Sequence, residues 1–231
     1  MFELSPDAWT AIRLTLRIAV VATLVATPFG IAVAWLLARK DFPGKSLAEA
    51  LISLPLVLPP VVTGYLLLLT FGRRGAVGGW LADNLGIVLS FRWTGAALAC
   101  GIMAFPLLVR PIRVSLEAID LKLEQAATTL GASPLRVFLT VTLPLALPGI
   151  IGGMVLCFAK ALGEFGATIT FVSNIPGETQ TIASAIYALT QTPSGDAAAI
   201  QLIVVSMAIA FGALIVSEWF ARRAVNRARG D

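Results

Sequence analysis

Five apolar blocks without a charged residue dominate the chain, over 18–38, 50–72, 93–109, 137–159 and 197–217. An α-helix needs about 20 apolar residues to cross the hydrocarbon core of a bilayer, with a range of about 17–25. All five blocks fall within it. In lipid the backbone must satisfy its own hydrogen bonds, so such runs are read as helices. The pattern predicts an all-α, polytopic membrane protein with about five transmembrane helices in a single domain, 1–231. The first block exceeds the roughly 7–15 apolar residues of a signal-peptide core and ends in Arg39-Lys40, so it reads as a retained span. The fourth begins inside a polar stretch, and its entry into the membrane is placed near Pro144.

Two longer connections stand out against this background. The first runs over about 114–144. Asp120 is suited to be an N-cap, Leu121, Leu123, Ala127 and Leu130 to supply apolar contacts, and Gly131 to be a left-handed C-cap. Ser133-Pro134 then offers a cap and a first-turn proline for another helix. Two short helices around a glycine elbow make a rigid projection. The second connection, about 164–196, carries Glu164, Glu178 and Asp196 but no lysine or arginine. Within it Ile182, Ala185, Ile186 and Leu189 recur at helical spacing, which predicts a short helix at the membrane surface, between turns at 174–177 and 192–195.

Proline is dense for a helical chain: Pro28 in the first block, Pro55, Pro59 and Pro60 in the second, Pro106 in the third and Pro148 in the fourth. Each removes a backbone donor and bends or breaks its helix. The segment 54–60 either packs irregularly or bends around a pathway.

Composition agrees with the membrane reading. Of 231 residues 58% are hydrophobic and 13% charged, against about 25% charged in a soluble domain. Mean hydropathy is +0.88. The net charge of +4 sits at block ends rather than on one face, which argues against nucleic acid and for membrane flanks. With an odd number of spans the termini lie on opposite sides. Placing the amino terminus outside puts eleven basic residues inside (Arg39, Lys40, Lys45, Arg110, Arg113, Lys122, Arg136, Arg222, Arg223, Arg227, Arg229) against five outside (Arg13, Arg17, Arg73, Arg74, Arg92), with Lys160 unassigned. That bias predicts a cytoplasmic carboxyl terminus and a cytoplasmic 114–144 connection.

Little in the chain suggests catalysis. Histidine is absent, which removes the commonest general base and metal ligand, and no metal site is expected. Cys100 and Cys157 lie inside apolar blocks and read as small buried side chains. Pro43-Gly44-Lys45-Ser46 imitates the end of a phosphate-binding loop, but Arg39 stands where that motif needs glycine. Lys160 and Glu164, four residues apart, share a helix face, either as an interfacial pair or as a gating pair that attracts an anion. Thr63, Thr168, Thr170, Ser173 and Asn174 are weak, replaceable donors suited to an oxyanion path, and equally to helix packing.

The 123–144 stretch resembles the EAA loop of binding-protein-dependent ABC importer permeases, whose pattern is Glu-Ala-Ala, three residues, Gly, nine residues, an aliphatic residue, any residue, then Leu-Pro. Gln125-Ala126-Ala127, Gly131, Val141 and Leu143-Pro144 fall at those spacings, with Gln125 in the glutamate position and Glu124 one residue earlier. The segments 42–45, 54–60 and 163–178 look like those of molybdate permease subunits. Sulfate and tungstate permeases are the alternatives within the family, and an ATP-independent channel or secondary transporter the alternative outside it.

The resemblance implies a type I importer permease, homodimeric, in the bacterial inner membrane. It implies that Glu124, Gln125, Ala126, Ala127, Gly131, Pro134, Leu143 and Pro144 couple to a cytoplasmic ATPase dimer, which carries ATP and Mg while this chain binds no cofactor. An external molybdate-binding protein would deliver the anion. Pro59, Pro60, Thr63, Lys160, Glu164, Thr168, Thr170, Ser173 and Asn174 are the expected pathway or gate residues.

Overall fold

The computed structural model describes the backbone of residues 4–229, with side chains described to Ala213 and at Ile215. All regular structure among the described residues is helical. Long helices α1 (Pro6–Arg39), α5 (Trp93–Glu117) and α8 (Leu143–Leu162) form the core. Around them lie α2 (Lys45–Val57), α3 (Pro60–Phe71), α4 (Ala76–Leu85), α6 (Leu121–Thr129), α7 (Pro134–Val137), α9 (Gly166–Val172), α10 (Ile182–Thr190) and α11 (Asp196–Arg229). The basic residues Arg222, Arg223, Arg227 and Arg229 have side chains outside the described set.

Packing fixes the number of crossings. Leu14, Ile18 and Ala22 of α1 cluster with Ala96 to Met103 of α5. Ala34 and Leu37 cluster with Leu108 to Leu116. The two helices therefore run parallel, and parallel neighbours need an odd number of crossings between them. Two helices, α2 and α3, lie in that interval, bent by 113° at the break between them. Glu49 near the start of α2 pairs with Arg113 close to the end of α5, at 2.7 Å. Leu67, Leu68 and Phe71 at the end of α3 pack with the Leu14–Ala96 cluster. The bent pair thus runs from the Arg39 end of the molecule to the Trp93 end as one broken span, which brings the candidate spans among the described residues to five.

The break falls within the proline-dense segment 54–60, where a bend was one of the two expectations. A residue preceding proline is pushed out of the α region. Leu58 precedes Pro59, Pro59 precedes Pro60, and both are extended, with ψ of 143° and 132°. Pro60 restarts the helix at its first position, where a missing N–H costs nothing. Pro28, Pro106 and Pro148 instead lie within continuous helices.

Helix α8 runs antiparallel to α5. A Cβ on Gly149 would lie 2.3 Å from Ser115 Cβ, and one on Gly153 would lie 2.6 Å from the Leu108 carbonyl. Farther along, the buried thiol of Cys100 faces the Ala161 carbonyl at 3.7 Å. Small residues let two backbones approach closely where lipid supplies no hydrophobic drive. Both cysteines are free and buried, as their apolar blocks suggested.

The fourth span starts earlier than its apolar block. A five-residue π-helix, Phe138–Thr142, joins α7 to α8, and the Leu143 N–H reaches back to the Phe138 carbonyl. Pro144 follows with no N–H to continue the ordinary ladder, so the widened turn falls immediately before it.

Candidate functional site

At the Arg39 end, α6 stands out from the bundle as the predicted helix–glycine–helix projection. The Asp120 carboxylate accepts from the Lys122 N–H at 2.9 Å and caps the start. At the other end Gly131 has φ +85°. Its N–H bonds the Thr128 carbonyl at 2.9 Å, and the Ala132 N–H bonds the Ala127 carbonyl at 3.2 Å. These paired bonds form a complete Schellman stop. Ser133 has the extended N-cap backbone before Pro134, but its side chain makes no capping bond.

Of the residues expected to supply apolar contacts, the three leucines do not find them within the bundle. Leu121 and Leu123 are about half exposed and Leu130 is 89% exposed. A short protruding helix has no facing neighbour to cover both its sides, so these leucines remain on the surface. Ala126 and Gln125 are exposed and Ala127 half-buried. A groove of about 420 Å³ runs along α6, lined by Leu121, Glu124, Gln125, Thr128 and Thr129.

What fixes α6 to the bundle is Glu124. Its Oε1 accepts from Arg39 Nη2 at 2.7 Å and from Thr142 Oγ1 at 3.0 Å. The three side chains come from the end of α1, from the projection and from the π-helix beside Leu143-Pro144. The Arg39 side chain is 11% exposed and Glu124 21%. Trp35 meets Phe138 edge-on at 6.3 Å and closes the same junction. Spacing within the motif singled out Gln125. The signal for Glu124 was available only as a carboxylate one position early, because its partners are 85 and 18 residues away.

The second group of predicted residues gathers where α3 meets α9. A Cβ on Gly166 would lie 2.7 Å from Pro60 Cβ. One on Gly64 would lie 2.5 Å from the Ala167 carbonyl and 2.9 Å from Thr170 Cβ. The helices therefore touch backbone to backbone, at glycines that periodicity alone does not flag. Pro60, Thr63 and Thr170 are thus at or beside one contact, and Pro59 is the N-cap of α3.

Their hydroxyls differ in what they offer. Thr168 donates to the Phe165 carbonyl at 2.9 Å and Thr170 to the Gly166 carbonyl at 2.9 Å. Each hydroxyl has one hydrogen, so in this conformation neither has it free for an anion. Thr63 is buried, and its Oγ1 has no hydrogen-bond partner among the described residues.

Lys160 Nζ and Glu164 Oε2 are 2.6 Å apart. The Glu164 side chain is 1% exposed and Lys160 30%. The other Glu164 oxygen accepts from the Ala167 N–H in the first turn of α9, at 3.0 Å. The pair thus links the end of α8 to the start of α9, and the Lys160 charge is matched locally. Beyond α9, Ser173 has φ +66°, a strained value for a non-glycine residue. It opens a tight loop in which the Ile175 carbonyl accepts from three successive N–H groups, of Glu178, Thr179 and Gln180. Asn174 Oδ1 is buried there without a partner among the described residues.

The expected surface helix in this connection exists as α10, with a capping box at Thr181 and Ser184. It is docked on the bundle: Ile182 and Ala185 pack with Ala11, Ile12 and Leu202, and the Ile182 N–H donates to Thr15 Oγ1 at 2.8 Å. The turn around the phosphate-loop imitation is simply a glycine start to α2, with Gly44 at φ +90° and Lys45 paired with Asp41.

A family model described as the binding-protein-dependent transport system inner membrane component matches residues 26–226. The molybdenum transport system permease protein ModB of Escherichia coli (strain K12) is 58% identical over 225 residues, covering 97% of this chain and 98% of that protein. ModB of Haemophilus influenzae is 56% identical over 93% of each chain. The sulfate transport system permease protein CysT of Escherichia coli is 35% identical, covering 96% of this chain and 81% of that protein. Among solved structures, a bacterial ABC transporter that imports the acidic polysaccharide alginate has a chain matching with TM-score 0.74 at 18% identity, over 95% of this chain and 80% of its own. The MetNI methionine ABC transporter matches with TM-score 0.66 at 13% identity, over 94% of both chains. These structural likenesses concern the fold alone. With the helical projection, the five crossings and a match over most of its length, the chain belongs to the family of inner membrane components of binding-protein-dependent transport systems.

Proposed function

We propose that this chain is the permease subunit of an ATP-driven molybdate importer, working as a homodimer with its translocation path between the two copies. The observation that carries the coupling role is the Glu124 junction, which ties the exposed α6 to the end of α1 and to the π-helix that leads into α8. A force applied to α6 reaches two core helices at once. The exposed Leu121, Leu123 and Leu130 suit burial in a cleft of a cytoplasmic ATPase pair, which would hold the ATP and Mg. This chain itself binds no cofactor in that scheme.

The substrate assignment is supported by 58% identity to a molybdenum permease against 35% to a sulfate permease. An external binding protein would select the oxyanion and dock near the 164–196 segment. The amino terminus would lie outside and the carboxyl terminus in the cytoplasm. That orientation is supported by the basic bias toward the Arg39 end, where the opposite-end packing of the two connections also suits one cytoplasmic and one external role.

ATPase closure would move α6 and rock the spans between two states, whose populations the ligands bias. The Leu58–Pro60 break and the α3–α9 contact lie where such rocking would open or close a path. The test is ATPase activity of the reconstituted complex, with binding protein, in molybdate, tungstate and sulfate. Stimulation by molybdate above sulfate supports the assignment. Stimulation by sulfate alone would replace it with a sulfate permease, and uptake without ATP hydrolysis would overturn the importer reading.

A further inference from the structure

Between the parallel helices α1 and α5 the surface holds an apolar groove of about 310 Å³. One wall is a single ridge of α1, with Val21, Val25 and Phe29 four residues apart, and the other wall includes Gly101 and Phe105 of α5. The same ridge continues toward the Trp93 end as Arg17 and Arg13, both exposed. Trp93 borders the groove, and the Arg17 guanidinium lies over its ring at 3.8 Å from the centroid. Stacking uses the face of a guanidinium and leaves its in-plane N–H donors available. Neither arginine forms an ion pair among the described residues.

We propose that this groove binds an anionic phospholipid, one acyl chain lying along Val21 to Phe29 and the headgroup phosphate held by Arg17 and Arg13.

Dimensions favour a lipid over a protein helix. The twelve helical steps from Arg17 to Phe29 rise about 18 Å. One leaflet of a core about 30 Å thick is about 15 Å. The groove with its cationic mouth therefore matches a single leaflet, whereas a spanning partner helix needs a trough twice as deep. Tryptophan sits favourably at headgroup level, which places Trp93 and its stacked arginine where a phosphate would be. The planar fork of arginine suits phosphate oxygens. Gly101 keeps the floor low: a Cβ there would find only Ala22, at 3.7 Å and beyond. The missing side chain leaves space beside α1 rather than relieving a clash. The site is independent of which anion is transported.

Native mass spectrometry of the purified permease–ATPase complex, titrated with phosphatidylglycerol and in parallel with phosphatidylcholine, tests the proposal. Phosphatidylglycerol is expected to remain bound in preference to phosphatidylcholine. Arg13→Gln with Arg17→Gln should weaken it about thirty-fold. Gly101→Leu should displace it by filling the groove; if that variant fails to insert, Ile102→Trp fills the same space from the groove wall. Equal retention of the two lipids, or full phosphatidylglycerol binding in both the arginine and the groove-filling variants, would overturn the site. So would a Val25→Cys disulfide between two copies in the membrane, since the groove would then belong to a partner helix.

Discussion

Arg39, the last residue of α1, holds the Glu124 carboxylate of α6 at 2.7 Å, and Thr142 donates to the same oxygen from the foot of α8. One oxygen therefore joins three separate segments at the base of the coupling projection. Glu124→Ala leaves Arg39 an almost covered guanidinium without its partner. For a fully buried pair that loss costs about 3–5 kcal/mol. Solvent reaching Glu124 makes the cost smaller here. The expected phenotype is a complex that assembles and hydrolyses ATP while uptake falls. Parallel ATPase and uptake measurements in vesicles read this directly, and matched wild-type ratios would refute it.

Gln125 gives the contrast. It is exposed and one residue from the junction. Gln125→Glu should change stability by no more than about 0.5 kcal/mol, as for other surface substitutions, and leave the ATPase-to-uptake ratio intact. Loss of coupling in this variant with Glu124→Ala unaffected would reverse the roles of the two positions.

Gly131 tests rigidity rather than charge. A Cβ there meets nothing within 4 Å, so any cost of substitution is conformational and comes from φ +85°. A side-chain-bearing residue in left-handed backbone costs about 1–2 kcal/mol, more when β-branched, whereas asparagine visits that region readily. Gly131→Val should uncouple hydrolysis from uptake without preventing insertion, and Gly131→Asn should retain most coupling. Equal activity of the two would show that the elbow's geometry does not matter.

How much of this was legible in the sequence follows from the range of each interaction. The five spans, the Asp120 cap and the Gly131 stop depend on residues within one or two turns, and hydropathy and capping patterns report such neighbours. The Leu58–Pro60 break was half legible: two prolines signal a bend but do not say how large, and the angle is 113°. The Glu124 junction and the Gly64–Ala167 contact join residues 85 and 103 apart, respectively, and periodicity carries no information at that range. The leucines of α6 were legible as contact residues but not as exposed ones, for a different reason. A hydrophobic position signals burial somewhere, and the chain alone does not say whether its own core provides it.

Lys160 and Glu164 separate a structural role from an electrostatic one. Lys160→Met leaves the Glu164 carboxylate, 1% exposed, without its cation, and should lower the complex's melting temperature. Adding Glu164→Gln removes the stranded charge and should restore much of that loss. If the pair only braces α8 to α9, uptake recovers with stability. Recovery of melting temperature without uptake would instead assign Lys160 a direct part in moving the anion.

Thr63 provides the sharpest test of the path. Its hydroxyl is buried without a partner among the described residues, while those of Thr168 and Thr170 bond carbonyls at the start of α9. An unsatisfied buried hydroxyl costs about 1–3 kcal/mol, so Thr63→Val, which keeps the shape, should leave the complex as stable or more stable. A packing residue would then lose nothing in transport. A residue whose donor meets the passing anion would lose uptake despite the gain in stability. Uptake is expected to fall for Thr63→Val and to hold for Thr168→Val, measured in vesicles at matched protein levels. Unchanged uptake in both would remove the α3–α9 contact from the anion's route.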